Sequence, residues 1–180
     1  MKKKIVTLLL ASAMSLSITA CGGSGDSVQK DTETKTTAPA ETDTEDKEEL
    51  ISGKVDLINI DNEEGTLSYT KHEVSTDYEG NPVIIVYFDY TNKKPETSYS
   101  QMTFYPQAFQ NGVECDYGIL MDENEGVNNS TKEITTGTTL NVAFVYELQD
   151  TENVVTVKVT DQSAENLFKD YYQEQDLALK

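Results

Sequence analysis

No arginine and no tryptophan occur in this 180-residue chain, and it has only one histidine and two cysteines. Each scarcity removes a class of function. Nucleic-acid affinity rests largely on Lys and Arg neutralising phosphates. Here 14 lysines face 32 acids for a net charge of −18, so no nucleic acid is expected as a partner. The same balance argues against a polybasic patch on a membrane surface. With His72 as the sole histidine, a Ser–His–Asp or Cys–His device would have to pass through it. A Cys/His zinc site lacks ligands, and no nucleophile elbow is present. A hydrolase is therefore the least favoured class, and no enzyme activity is expected.

Long apolar runs are missing too, and the one stretch that approaches such a run is at the amino terminus. Lys2, Lys3 and Lys4 precede an apolar or small-residue stretch from Ile5 to Ile18. That is short of the roughly 20 residues a permanent membrane helix needs. A positive start, a short apolar core and small residues at the end are the order of a secretory signal peptide. Ile18-Thr19-Ala20-Cys21 then resembles a lipobox, which implies cleavage between Ala20 and Cys21 and a diacylglyceryl group on the Cys21 thiol. Each buried methylene contributes about 0.8 kcal/mol, so two acyl chains anchor where one binds only marginally. The expected location is the extracellular face of the cell membrane, with lipid on Cys21 as the membrane contact.

Cleavage would remove three lysines and no acid, leaving 11 lysines against 32 acids, a net charge of −21. It would also leave Cys115 as the only free thiol, so an intrachain disulfide is excluded and the domain must be held by its core. Residues 22–49 carry Val28, Ala38 and Ala40 as their only apolar side chains, with nine acids against three lysines. Such a segment buries too little surface to offset its ordering entropy. Residues 21–49 are thus expected to be the lipidated cysteine and a disordered, acidic, Thr-rich linker that spans roughly 30 Å as a coil.

From Leu50 to Lys180 the composition changes and the apolar residues recur with period two. Leu140, Val142, Phe144, Tyr146 and Leu148 form one alternating row, and Val155, Val157 and Val159 form the next. The short polar segment Gln149–Asn153 between them predicts a hairpin. Val83–Phe88 is a continuous β-branched and aromatic run, as for a central strand covered on both faces. Strands are also predicted over 66–74, 104–109, 113–117 and 55–60, with an Asn111-Gly112 turn joining 104–109 to 113–117. In Ala164–Leu179, Leu167, Phe168, Tyr171 and Tyr172 have helical spacing and Ser163 is placed to cap; a short C-terminal helix or a frayed tail is expected there. About seven short strands separated by turns predict an all-β, immunoglobulin-like antiparallel sandwich.

Two blocks, Asp77-Tyr78-Glu79-Gly80-Asn81-Pro82 and Val86-Tyr87-Phe88-Asp89-Tyr90-Thr91-Asn92, resemble a strand–turn–strand unit of Firmicutes surface lipoproteins. Phe109–Glu114 and Gly137–Thr139 leading to Tyr146-Glu147-Leu148 are similar to the next two blocks of that family, so the resemblance runs from about Leu67 to Asp161. The family is a domain of unknown function, and the resemblance implies an immunoglobulin-like sandwich. It carries no catalytic residues to this chain.

Candidate sites are few. Asp122, Asn124, Asn128, Ser130 and Glu133 offer oxygen ligands at several spacings of a twelve-residue calcium loop. Gly126, however, lies one position before the glycine such a loop needs. Ca²⁺ is the one cofactor that enters consideration. Asp61–Gly65 is a shorter acidic turn. Cys115 reads as a small buried hydrophobe. Of ten tyrosines, Tyr87, Tyr90 and Tyr146 read as core, and Met102, Phe104, Tyr105 and Phe109 read as core before they read as a binding strip. The preferred reading is a non-enzymatic module that binds a protein, peptide or cell-wall component. The alternative is a Ca²⁺- or small-ligand-binding lipoprotein that uses its acidic loops.

Overall fold

A computed structural model describes residues 52–180. They all belong to the second of the chain's two compact units, Asp46–Lys180. The signal peptide, Cys21 and the linker expected from the sequence lie outside the described residues.

Among the described residues, nine strands form two sheets. β1 (Gly53–Lys54), β9 (Tyr172–Leu177), β8 (Val155–Asp161), β5 (Phe104–Gln110) and β6 (Val113–Glu114) make the first, in that spatial order. β2 (Asn59–Asp61), β3 (Gly65–Thr76), β4 (Pro82–Asn92) and β7 (Thr139–Glu147) make the second. The predicted all-β sandwich is present. Every pairing is antiparallel except β1 with β9, which runs parallel.

β4 explains the packing. Ile84, Val86, Phe88 and Tyr90 point between the sheets, where they meet Val142, Phe144 and Tyr146 of β7, Phe104 and Ala108 of β5, and Val155, Val157 and Val159 of β8. The alternate residues Val83, Ile85 and Tyr87 face outward and form a second cluster with Ala143 and Val145. That outer cluster is covered by Leu120 and Val127, so β4 and the middle of β7 are buried on both faces. Burial of each large apolar side chain contributes about 1.5–3 kcal/mol.

Both lateral edges of the sandwich are closed by chain that crosses from one sheet to the other. On one edge, residues 53–61 pass from β1 to β2. Gln175 Oε1 accepts from the Ile58 N–H at 2.9 Å, and Gln173 Oε1 accepts from the Asn59 N–H at 2.8 Å. On the other edge, the Asn111-Gly112 turn, with both residues at positive φ (54° and 79°), sends β6 back along β5. The chain then leaves the first sheet at Cys115 and reaches β7. The Gly118 N–H donates to the Val145 carbonyl at 3.0 Å, and the Glu147 N–H donates to the Asp116 carbonyl at 2.8 Å. The end strands β2 and β6 are short: β2 pairs with Thr66–Ser68 of β3 and β6 with Phe109 and Gln110 of β5, and short edge strands limit edge-to-edge aggregation.

Three expectations are corrected. β7 and β8 are not a hairpin: β7 pairs with β4 in one sheet and β8 with β5 and β9 in the other. Their linker crosses the sandwich and is held by the fully buried Gln110. Its Oε1 accepts from the Gln149 N–H at 2.7 Å, while its Nε2 donates to the Asp150 carbonyl at 2.9 Å. The C-terminal segment is neither helix nor frayed tail. Turns over 164–170 end at Asp170 (φ 49°), and Tyr172–Leu177 is strand β9. Its inward row is Gln173, Gln175 and Leu177, and the two glutamines can be buried because backbone N–H groups satisfy them. Strand number rises from about seven to nine because β9 is added and the β1–β2 segment is split between the sheets.

The turn blocks have clear local roles. Asp77 Oδ1 accepts from the Glu79 and Asn81 N–H groups, both at 2.8 Å, and fixes the β3–β4 turn. Asn92 Nδ2 donates to the carbonyls of Glu96 and Ile134, both at 2.9 Å, and pins the loops at the far end of β4.

Candidate functional site

The segment between β6 and β7 brings apolar side chains to the surface in a row, as does the turn segment after β8, where Leu167 is 53 % and Phe168 93 % exposed. Residues 117–120 run between two isolated bridges, with Gly118 and Leu120 turned toward the second sheet. A Cβ on Gly118 would lie 2.9 Å from Val83 Cγ1 and 3.0 Å from Val145 Cγ1, so only glycine allows this close approach. Leu120 packs on the outer cluster. The other parity points outward: Tyr117 is 53 % exposed, Ile119 66 % and Met121 75 %. Tyr78, from the β3–β4 turn, joins them at 54 % exposure, and its N–H donates to the Ile119 carbonyl at 3.1 Å.

This strip is held firmly. The Tyr117 ring stacks on Tyr146 with centroids 5.3 Å apart. A bridge joins Asp77 to Leu120. A cavity of about 350 Å³ opens beside the strip, bounded by Gly118, Met121, Asn124, Val127 and Val145.

Beyond the strip, helix α1 (Glu125–Asn129) lies on the outer face of β7 and β4. Asn124 caps it by accepting from the Val127 N–H at 3.1 Å. Its amide also donates to the Tyr87 hydroxyl at 2.6 Å, and that hydroxyl donates to Glu73 Oε1 at 2.5 Å. Burial, then the Glu73 carboxylate, pushes the Tyr87 hydroxyl above the usual tyrosine range. Lys71 stands over the same ring, 4.3 Å from its centroid. Gly126 makes the contact possible, because a Cβ there would be 2.9 Å from Ala143 Cβ and 3.1 Å from the Tyr87 ring. The glycine that misses its position in a calcium loop is thus needed for helix-on-sheet contact.

Three of the five residues with calcium-loop spacing bond within the protein. Asn124 is the helix cap, Ser130 Oγ donates to the Val127 carbonyl at 2.7 Å, and Glu133 Oε2 accepts from the Thr97 hydroxyl at 2.9 Å. Asp122 and Asn128 are exposed. Among the described residues, no group of three or more His, Cys, Asp or Glu side chains is placed to hold a metal. The shorter acidic turn is tied down by lysines, with Lys93 on Asp61 and Lys94 on Glu64 at 2.7 Å.

His72 and Cys115 serve different edges of the sandwich. The imidazole Nδ1 is 2.6 Å from the Tyr69 hydroxyl within β3, and Nε2 is 2.9 Å from the Ala178 carbonyl, so the ring ties β3 to the chain after β9 through Nε2. Cys115 is buried in the core between the sheets, and that burial pushes its thiol above the ordinary range. Tyr87, Tyr90 and Tyr146 are core, as expected. Phe104 is core as well, whereas Tyr105, of the other strand parity, and Met102, in the turn before β5, are exposed, and Phe109 is half-buried.

Sequence reasoning missed Ile119 and Met121. The available signal was Tyr117-Gly118-Ile119-Leu120-Met121 set between Asp116 and Asp122, with apolar side chains on both parities. A strand apolar on both faces needs a cover on each, and this one has a cover on only one.

An immunoglobulin-like two-sheet sandwich with an uncovered apolar strip is the class of protein that this fold and face define. The chain belongs to the family described as Domain of unknown function (DUF5067), whose model matches residues 29–161. No curated protein matches it significantly. Among solved structures, it is similar to a candidate lipoprotein from Staphylococcus aureus NCTC 8325, with 14 % identity and a TM-score of 0.55 over 69 % of this chain and 92 % of that one. It is also similar to a protein from Enterococcus faecalis solved by NMR, with 22 % identity and a TM-score of 0.53 over 68 % and 90 %. A candidate lipoprotein from Bacillus subtilis 168 matches at 11 % identity and a TM-score of 0.50, over 67 % of this chain and 38 % of that one. At these identities the likeness is one of fold.

Proposed function

We propose that this protein is a lipid-anchored, extracellular binding module, held to the membrane through Cys21, that recognises a protein or peptide with the strip Tyr117–Ile119–Met121 and Tyr78. The observation that carries the reading is the exposure of Ile119 and Met121 at 66 % and 75 % on a segment fixed to the sheet by Gly118 and Leu120. Contiguous apolar surface on an ordered element costs solubility, and large apolar and aromatic side chains are the usual anchors of protein interfaces. The lipobox resemblance at Ile18–Cys21 supports the anchor, and two of the structural neighbours are described as candidate lipoproteins. The calcium alternative has weaker support, since three of its five residues already bond within the protein.

The test has two parts. Palmitate labelling should mark the wild type, and Cys21→Ala should abolish both the label and membrane retention; a variant still bound to the membrane would sink the anchor. The mature chain should capture an envelope protein or peptide that Ile119→Asp and Met121→Asp no longer capture. Equal capture by both variants would remove the strip as the binding face.

A further inference from the structure

The partner's chemistry can be read from the charges around this strip, an inference that rests on the binding reading above. Residues 52–180 hold eight lysines and 23 acids. Each of the eight lysines has a partner of its own: Lys54 on Asp176, Lys71 on Glu73 (where it also lines a cavity with Glu125), Lys93 on Asp61, Lys94 on Glu64, Lys169 on Glu165 and Lys180 on Glu152. Lys132 donates to Asn129, and Lys158 lies over the Tyr172 ring. The strip, in contrast, is bordered by Glu79 next to Tyr78, Asp116 next to Tyr117, and Asp122, Glu123 and Glu125 just after Met121. All five are exposed, and none makes an ion pair with a described residue.

A surface with an apolar centre and a rim of one sign selects against partners of the same sign. It also raises the encounter rate of partners of the opposite sign. The backbone of the strip is already bonded toward β7 through Gly118 and toward the β3–β4 turn through Ile119, so strand addition is not the mode of contact. The side chains are what is offered. We infer that the strip binds a cationic amphipathic polypeptide segment, whose apolar side chains seat on Tyr78, Tyr117, Ile119 and Met121 while its Lys or Arg groups pair with Glu79, Asp116, Asp122, Glu123 and Glu125.

The probe is a labelled 18-residue amphipathic helix of Leu and Lys, with the same peptide carrying Glu for Lys and an 18-residue oligolysine as controls. Binding is read by fluorescence anisotropy on the mature chain carrying Cys21→Ser, which removes the lipid. The Leu/Lys peptide should bind more tightly than either control, and its affinity should fall as NaCl rises from 0.05 to 0.5 M, since exposed ion pairs are screened. Glu79→Gln/Asp122→Asn/Glu123→Gln should weaken it about tenfold, from three exposed pairs of ordinary strength. A triple change of equal charge far from the strip, Asp56→Asn/Glu165→Gln/Asp170→Asn, should change it less than about twofold, which separates the local rim from the net field and from the acidic linker.

Equal binding of the Leu/Glu peptide, equal effects of the two triple variants, or no binding of the Leu/Lys peptide would each overturn the partner assignment. If the strip variants Ile119→Asp and Met121→Asp still lose envelope capture in that case, the binding module stands and only its partner's chemistry is wrong. If they capture normally, the binding reading itself falls.

Discussion

The Tyr146 hydroxyl, in β7 of one sheet, donates to the Pro106 carbonyl, in β5 of the other, at 2.9 Å across the core. Pro106 sits on the part of β5 that β6 does not pair, where a strand proline is tolerated and its carbonyl needs a partner from outside the ladder. Tyr146 is 1 % exposed, and its ring also supports Tyr117 at the root of the apolar strip. One side chain therefore joins the two sheets and positions the surface segment. Tyr146→Phe leaves a buried carbonyl unpaired, and the expected loss is about 1–3 kcal/mol in unfolding free energy by urea titration, with the fold retained by circular dichroism. An unchanged midpoint would show that the bond contributes nothing net.

Gly126→Ala is expected to destabilise by about 1–3 kcal/mol despite the better helix propensity of alanine. The added Cβ meets Ala143 Cβ and the Tyr87 ring, neither of which is a flexible chain end. Ala143→Gly in the same chain should recover part of the loss. A single variant that melts above the wild type would show that α1 shifts freely on the sheet.

Gln175→Ala removes the acceptor for the Ile58 N–H and opens space at the closed edge. A cost of about 1–3 kcal/mol is expected for the stranded N–H. Hydrogen exchange locates it: the Ile58 amide should lose protection first, while the amides of β4 keep theirs.

Asp150 gives a pH dependence of known sign. The Asn153 and Glu152 N–H groups, followed by the Asn153 and Asn111 side chains, hold its carboxyl well below the usual carboxylate range. The folded value is thus lower than the unfolded one, near 3.9. Its contribution is complete above that unfolded value and is lost as pH falls toward the folded one. The wild type should lose more stability between pH 7 and pH 3 than Asp150→Asn does. Identical slopes in the two proteins would refute a role for this carboxylate in holding the β7–β8 crossing.

Cys115 should be chemically quiet. Its burial disfavours the thiolate, the reactive form. A colorimetric disulfide reagent is expected to label it in urea and hardly at all in buffer. Rapid labelling of the folded chain would place the thiol in a more open site than the core.

The expected strands over 66–74, 104–109 and 140–148 correspond to β3, β5 and β7, because period-two alternation is a local property that survives into the fold. The double burial of Val83–Phe88 was legible for the same reason. The β7–β8 crossing was not, since a five-residue polar link suits a hairpin and a crossover equally. What decides between them is competition for partners. β4 takes β7, and β5 takes β8, with Gln110 fixing the link. β9 was hidden because its inward row is mostly glutamine, which reads as solvent-facing until the backbone donors it satisfies are in view.

By itself the sequence determined the acidic balance, the positions of most strands and a candidate lipid site at Cys21, since each follows from residue identity or nearest-neighbour pattern. Only the tertiary structure decided which strands share a sheet, why Gly118 and Gly126 must be glycine, and that Tyr78 joins Tyr117, Ile119 and Met121 on one face. Those are relations between segments far apart in the chain. They are set by which surfaces exclude water together, and alternation along one strand carries no record of what lies across from it.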